Sequence, residues 1–243
     1  MTGNTYDDPG FFAGYSALRR STEGLAGAPE WPALRAMLPD LNGARVLDLG
    51  CGFGWFSRFA RDVGAISVQG VDVSEKMLAK AVVETSDGAI DYVRADLESF
   101  EPRVAAFDLA YSSLALHYVE DLAGLLSRVR RALVPGGALV ASVEHPIYTA
   151  PMQPRWRVDE AGRSTWPVDA YQHEGRRQTD WLGGVVVKYH RSLATWINML
   201  VELGFSLRRL EEWGVTDEQI AARPELAVER ERPMFLLLSA TRT

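Results

Sequence analysis

Asp48-Leu49-Gly50-Cys51-Gly52-Phe53-Gly54 places three glycines in seven positions, directly after the short apolar run Arg45–Leu49. Glycines at a strand-to-helix turn let a ligand approach the backbone where a Cβ would intrude. A dinucleotide fingerprint, G-x-G-x-x-G, needs its third glycine at position 55, and the residue there is Trp55; the third glycine comes one residue early, at Gly54. The spacing therefore argues against a pyrophosphate loop and for a smaller, non-phosphate group. Two carboxylates follow at the ends of the next strands. Asp72, about twenty residues beyond the loop, is placed to accept both hydroxyls of a ribose. Asp96, followed by Leu97, can bind the amine and ring nitrogen of an adenine with the help of the adjacent backbone amide. Either carboxylate alone reads equally well as a strand-end cap. Three such features at successive strand ends of one sheet read as a binding edge.

The elements that must position these residues alternate from Val46 onward. Arg45–Leu49, Ser67–Val71, Ile90–Arg94, Phe107–Ser112 and Ala138–Val143 read as strands. Between them, Phe53–Val63 carries apolar residues at helical spacing and stops at Gly64, Ser74 caps a helix with Met77, Leu78 and Ala81, and Asp121 caps one with Leu122, Leu125, Leu126 and Val129. Strand and helix in this rhythm predict a parallel sheet covered on both faces. The rhythm breaks after Glu144. Ile147–His190 has little periodicity, a hairpin pattern at Arg155–Val158 and Arg163–Pro167, and a strand at Val185–Tyr189. It resumes with a helix capped by Ser192 and ended by Gly204, then strands at Phe205–Glu212 and Met234–Ala240.

Composition narrows the class. The chain has 243 residues, 47% hydrophobic and 24% charged, with a formal net charge of -6 and one cysteine. One cysteine forms no internal disulfide, so a reducing cytoplasm is expected. The N terminus lacks the basic and apolar regions of a signal peptide, and no apolar run has a membrane span's length. The negative charge argues against nucleic acid held mainly by phosphate contacts. The expected partner is a small molecule, with no nucleic acid and no membrane, the protein being a monomer or homodimer.

Val46-Leu-Asp-Leu-Gly-Cys-Gly-Phe-Gly54, Gly70-Val-Asp-Val-Ser74, Ala95-Asp-Leu97, Phe107-Asp-Leu109 and Leu133-Val-Pro-Gly-Gly137 resemble the successive motifs of class I S-adenosylmethionine-dependent methyltransferases, in the branch that includes ubiquinone- and menaquinone-biosynthesis enzymes. The resemblance covers about residues 44–144. It implies an α/β fold, a doubly wound Rossmann-like seven-stranded mixed sheet whose final strand is antiparallel, here with an inserted β-rich cap and an N-terminal helical arm. It implies S-adenosyl-L-methionine as cofactor and S-adenosyl-L-homocysteine as product. Gly50 and Gly52 would contact the methionine moiety, with Cys51 and Gly54 completing the loop and Asp48 ordering it. Asp72 would hold the ribose, Val73 and Met77 would flank the adenine, Asp96 and Leu97 would read its edge, and Ser112 would lie beside the methionine amino group. Arms in this family fold over the cofactor, so Tyr15 and Arg20 (or Arg19) could meet its carboxylate. The expected organisation is an arm at 1–40, a cofactor-binding domain at 41–146 and 191–243, and a cap or lid at 147–190.

Methyl transfer is an in-line displacement that needs the nucleophile about 3–3.5 Å from the methyl carbon and, for a protonated acceptor, a base. His117, Glu144, His145 and His190 follow the later strands or precede the last helix, and are the candidate bases; each histidine also reads as a satisfied polar residue at a loop-rich rim. No spacing among them matches a metal site. The cap's aromatics, Tyr148, Trp156, Trp166, Tyr171, Trp181 and Tyr189, suit either a pocket or a small core, and its arginines either an acidic substrate or solvation. Three rivals remain. An NAD(P) oxidoreductase lacks the glycine at 55, a nucleic-acid methyltransferase is opposed by charge and by Ser112-Ser113-Leu114-Ala115, and a non-catalytic partner subunit would keep the loop without the polar rim.

Overall fold

The computed structural model describes residues 4–243. Residues 1–3, where the reading of the extreme N terminus and the start of the arm fall, lie outside the described residues. The arm contains α1 (Pro9–Ser16), α2 (Arg19–Thr22) and α3 (Trp31–Arg35). The central run is β1 (Arg45–Leu49), α4 (Trp55–Asp62), β2 (Ser67–Asp72), α5 (Glu75–Val83), β3 (Ile90–Arg94), β4 (Phe107–Ser113), α6 (Leu122–Ala132), β5 (Leu133–Glu144) and the short α7 (Pro146–Thr149). Two hairpins follow, β6 (Arg157–Val158) with β7 (Ser164–Thr165), and β8 (Gly175–Trp181) with β9 (Gly184–His190). The chain ends with α8 (Leu193–Glu202), β10 (Phe205–Trp213), α9 (Asp217–Ala222) and β11 (Phe235–Arg242).

Seven strands form one sheet in the order β10-β11-β5-β4-β1-β2-β3. Strands β1 to β5 pair in parallel, whereas β11 is antiparallel to both β5 and β10. Both faces are covered. Leu47, Leu49 and Leu139 pack with Leu125, Val129, Trp196 and Leu200 on one side, while Val46, Val68, Leu109 and Val140 pack with Leu34, Phe56 and Ala60 on the other. Burial on both faces explains why β1 reads as a continuous apolar run rather than an alternation. Asp108, in one of the recognised motifs, lies at the opposite end of the sheet from the strand ends that matter here. Its carboxylate accepts from the Arg45 backbone amide at 2.8 Å and from its guanidinium at 2.9 and 3.1 Å, tying β4 to the start of β1.

Two boundaries and two whole elements depart most from the sequence reading, each for a local reason. Helix α4 begins at Trp55, not Phe53, because Gly54 caps it in the left-handed region at φ +74°. Pro135-Gly136-Gly137 does not precede the fifth strand but forms an irregularity inside β5, where the register shifts between Phe107 and Leu109. Strand β8 escaped notice because Gly175-Arg-Arg-Gln-Thr-Asp-Trp181 has no apolar alternation; its backbone partner β9 defines it. Helix α9 escaped too, although Thr216-Asp-Glu-Gln219 carries a complete capping box.

Of the insert's arginines, Arg155, Arg157 and Arg176 are exposed, as solvation requires, whereas Arg177 and Arg191 are buried on backbone carbonyls. Arg177 is buried and donates to the carbonyls of Ala150, Ala170 and His173 at 3.1, 3.3 and 2.6 Å. Arg191 reaches the carbonyls of Val119 and Glu120 at 2.7 and 2.6 Å, fastening the end of β9 to the loop after β4. From the C-terminal side, Arg232 lies against Tyr148, Trp156 and Trp166, 4.4, 5.0 and 4.1 Å from their ring centroids. Such cation–π contacts, with the guanidinium withdrawn from water, give the small insert the core it cannot build from aliphatic residues.

Candidate active site

The glycine loop is shaped by three left-handed residues, Gly50 (φ +74°), Gly52 (φ +52°) and Gly54 (φ +74°). Their reasons differ. A methyl group at Gly54 would run into the Tyr92 hydroxyl, and one at Gly50 into the Ala115 side chain, so both are packing glycines. At Gly52 a methyl would meet nothing within 4 Å. The loop is thus pinned at its two ends and open at its middle, the arrangement a cofactor lying on the backbone requires. The amides of Gly50 and Cys51 both donate to the Val71 carbonyl, at 2.8 and 3.0 Å. Cys51 is buried and its thiol pKa is pushed well up by burial, so it fills space rather than acting as a nucleophile.

Asp72 closes β2 and holds the loop from the other side. One carboxylate oxygen accepts from the Gly52 amide and the other from the Ser74 amide, both at 2.9 Å. Burial raises its pKa, against those two bonds. The cap reading of Asp72 is therefore true, and each oxygen keeps a second lone pair for a ligand. Asp48 is buried beneath the loop with Ser57 Oγ donating at 2.7 Å, and burial pushes its carboxyl up to about 7. Asp96 lies two residues beyond β3, exposed, with one oxygen accepting from the Glu98 amide at 3.0 Å. Met77 is buried on the first turn of α5, Val73 is exposed beside it, and Leu97 packs against the core. Ser112 is buried and donates to the Leu49 carbonyl at 2.9 Å.

The arm lies over this edge. Asp7 accepts from Ser74 Oγ at 2.6 Å and from the Lys76 amide at 3.1 Å, at the N-terminus of α5. Tyr15 packs edge-on against Phe53, with centroids 5.8 Å apart. Arg20 does not point a free guanidinium at the loop: it pairs with buried Glu30 at 2.9 and 3.2 Å, and Arg19 pairs with Glu23. The tip of the β8–β9 hairpin meets the arm. Leu182 (φ +50°) and Gly183 (φ +77°) make the tight turn, Leu182 seats against Gly14, and Trp181 contacts Phe11 and Tyr15 at 5.5 and 6.1 Å between centroids. A leucine at positive φ is costly, and it is held there by this docking.

Of the four candidate bases, the structure brings two together. His117, after β4, accepts from the Glu144 amide through Nδ1 at 3.4 Å, which puts the proton of the neutral ring on Nε2. That Nε2 is buried and unpartnered, 4.0 Å from Glu144 Oε1. Burial lowers the His117 pKa to about 4. Glu144 Oε1 accepts from Lys188 Nζ at 2.5 Å, while Oε2 is buried without a partner. His145 is engaged elsewhere, Nδ1 accepting the Ile147 amide at the start of α7 and Nε2 bonding Glu212 at 2.9 Å. His190 is also committed, with Nε2 donating to the Tyr171 carbonyl at 2.9 Å and Nδ1 accepting from Thr149 Oγ1 at 2.8 Å. Sequence reasoning missed Lys188 and also Tyr118, whose ring lies against His117 and whose hydroxyl meets that of Tyr6 at 3.1 Å. The signal for Lys188 was present: Val186, Lys188 and His190 share the buried face of β9, and a lysine on such a face needs a partner.

The chain from residue 47 to 141 matches the methyltransferase domain family. It is similar in structure to an S-adenosylmethionine-dependent methyltransferase from Mesorhizobium loti, with 58% identity, TM-score 0.87, and coverage of 90% of this chain and 100% of that one. A Listeria monocytogenes structure assigned to the same family gives 40% identity and TM-score 0.82, over 89% of this chain and 99% of the other. A malonyl-[acyl-carrier protein] O-methyltransferase from Enterobacter lignolyticus is 39% identical over 129 residues, 53% of this chain and 50% of the relative. The chain belongs to the S-adenosylmethionine-dependent methyltransferases, and S-adenosylmethionine is its cofactor. These matches define the class rather than the quinone-biosynthesis branch. Among the described residues no helix is long and apolar enough to cross a membrane.

Proposed function

We propose that this methyltransferase acts on a small-molecule acceptor held at the His117–Glu144–Lys188 cluster, in the cytoplasm. The observation that supports the reading is the roof: Trp181 and Leu182 of the insert rest on Phe11, Gly14 and Tyr15 of the arm, so the strand ends are covered rather than offered as an open face to a macromolecule. On this reading residues 1–40 are the arm and 147–190 the lid of one cofactor-binding domain.

S-adenosylmethionine supplies a methyl group on a sulfonium that leaves as a neutral thioether, so the protein's work is to position, exclude water and receive a proton. Gly50 and Gly52 seat the methionine end, with Ser112 beside its amino group and Asp48 ordering the loop below. Asp72 accepts the ribose hydroxyls with its remaining lone pairs while holding Gly52 in place. Val73, Met77, Asp96 and Leu97 enclose the adenine. Tyr15 shields the cofactor; Arg20 reaches its carboxylate only by sharing its guanidinium with Glu30. The work at the acceptor falls to Glu144 as proton acceptor and His117 as hydrogen-bond donor, because both ring nitrogens of His145 and of His190 already have partners. Methyl incorporation from labelled cofactor into fractionated metabolite pools tests the reading. Label in a low-molecular-weight product supports it, and label confined to protein or nucleic acid contradicts it.

A further inference from the structure

Two buried polar atoms of opposite kind lack partners on the same wall of the site. His117 Nε2 carries a hydrogen to donate, and Glu144 Oε2 has lone pairs to accept. They cannot satisfy each other directly, since Nε2 lies 4.0 Å from the nearer, lysine-bound oxygen of the same carboxylate. A buried donor or acceptor left unmade is costly, so this pair favours whatever completes it.

We infer that the acceptor presents a neutral hydroxyl to the gap between these two atoms, donating its hydrogen to Glu144 Oε2 and accepting from His117 Nε2. The inference rests on the small-molecule reading above and deepens it to a substrate class. A hydroxyl is the smallest group that is donor and acceptor at one atom. A carboxylate acceptor can only accept, and would set a second anion against Glu144. An ammonium can only donate, and would meet the Lys188 ammonium already bonded to Glu144 at 2.5 Å. Oxygen methylation in the gap forms the O–CH3 bond, returns the S–CH3 electron pair to sulfur, and passes the hydroxyl proton to Glu144 Oε2. Lys188 is a positioning residue: it holds Oε1 and so turns Oε2 toward the acceptor. The flanking rings of Tyr118 and Tyr148 make an aryl group a suitable carrier for a test.

The test is calorimetry at neutral pH on the full chain saturated with S-adenosylhomocysteine, titrated with phenol, benzoate and benzylammonium. Phenol should bind at least tenfold more tightly than either of the others. In Glu144→Gln the amide keeps its oxygen on Lys188 and turns its NH2 to the gap, giving two donors; benzoate should then overtake phenol, with S-adenosylhomocysteine affinity unchanged. Wild-type protein that binds S-adenosylhomocysteine but prefers benzoate or benzylammonium, treats the three alike, or binds none overturns the hydroxyl inference while leaving the cofactor site standing. Protein that binds no S-adenosylhomocysteine overturns both. The wild-type ranking decides the matter even if the variant fails to fold.

Discussion

The strand ends from β1 to β3 and those of β4 and β5 lie on one edge of one sheet, yet they are built differently. The first region works through backbone: left-handed glycines, amides aimed at Val71 and Asp72, and a carboxylate that braces the loop from across β2. The second works through buried side chains, with His117, Glu144 and Lys188 drawn from three separate segments. A site made of backbone must be written as a contiguous motif, because each glycine and each turn has a fixed place. A site made of side chains needs only that the fold bring them together. That is why a common cofactor can be recognised in a stretch of sequence, and an individual acceptor cannot.

The contrast can be broken most sharply at the loop. Gly54→Ala places a methyl on the Tyr92 hydroxyl at a left-handed φ, and should cost about 3–4 kcal/mol of stability in denaturant melts. Gly52→Ala meets no neighbour and should cost only about 1–2 kcal/mol from its φ, while removing most of the S-adenosylhomocysteine affinity. Equal stability losses in the two variants would mean that Gly52 is another packing glycine.

Acid pH probes the side-chain region. Burial holds His117 at about 4, below the ordinary 6.5, so the unfolded chain takes up the proton first as pH falls. Its contribution is present above about pH 6.5 and is lost progressively toward pH 4, a change of at most about 3 kcal/mol. His117→Asn should flatten that limb of a stability profile; an unchanged slope would show that His117 is not neutral and buried. Asp48 runs the other way. Its carboxyl is raised to about 7, so the folded state binds that proton more tightly and stability is lost as pH rises from about 4 to 7. Asp48→Asn should accordingly be more stable than wild type at pH 8.

The histidines separate catalysis from support. With an acceptor in hand, His117→Ala removes the Nε2–H that holds the acceptor oxygen and should slow methyl transfer by about tenfold, leaving cofactor affinity near wild type. His190→Ala should leave the Tyr171 carbonyl unpaired and remove one of the two partners of the Thr149 hydroxyl, costing about 2 kcal/mol in melts with little effect on the rate of the folded enzyme. The reverse pattern would exchange their roles. The smallest effect is expected at the insert. Trp166→Ala removes one of three rings around Arg232 and should speed hydrogen exchange across residues 147–190 without altering exchange in β1 to β3.

These expectations also mark how far the sequence could be read. The strands of the central sheet, the Ser74, Asp121 and Ser192 caps and the loop were legible because each depends on neighbours in sequence. Asp72 was legible in place but not in its second duty, since the bond to Gly52 crosses 20 positions. The acceptor wall was legible only as a set of four candidates. Nothing local distinguishes His117, whose Nε2 is free, from His190, whose nitrogens are taken by residues 41 and 19 positions away. Arg177 and Arg191 misled for the same reason: charge in a loop-rich segment suggests solvent, and only the fold shows backbone carbonyls converging on them.

The division between the two regions is tested most directly by measuring S-adenosylhomocysteine affinity calorimetrically in Asp72→Ala and Glu144→Gln, with melting curves to establish that each is folded. A carboxylate accepting ribose hydroxyls makes charge-assisted bonds worth about 1.5–3 kcal/mol each. Asp72→Ala should therefore bind at least tenfold more weakly, and Glu144→Gln within about twofold of wild type. Unchanged affinity in folded Asp72→Ala, or an equal loss in Glu144→Gln, would contradict the assignment of the cofactor to the β1–β3 edge.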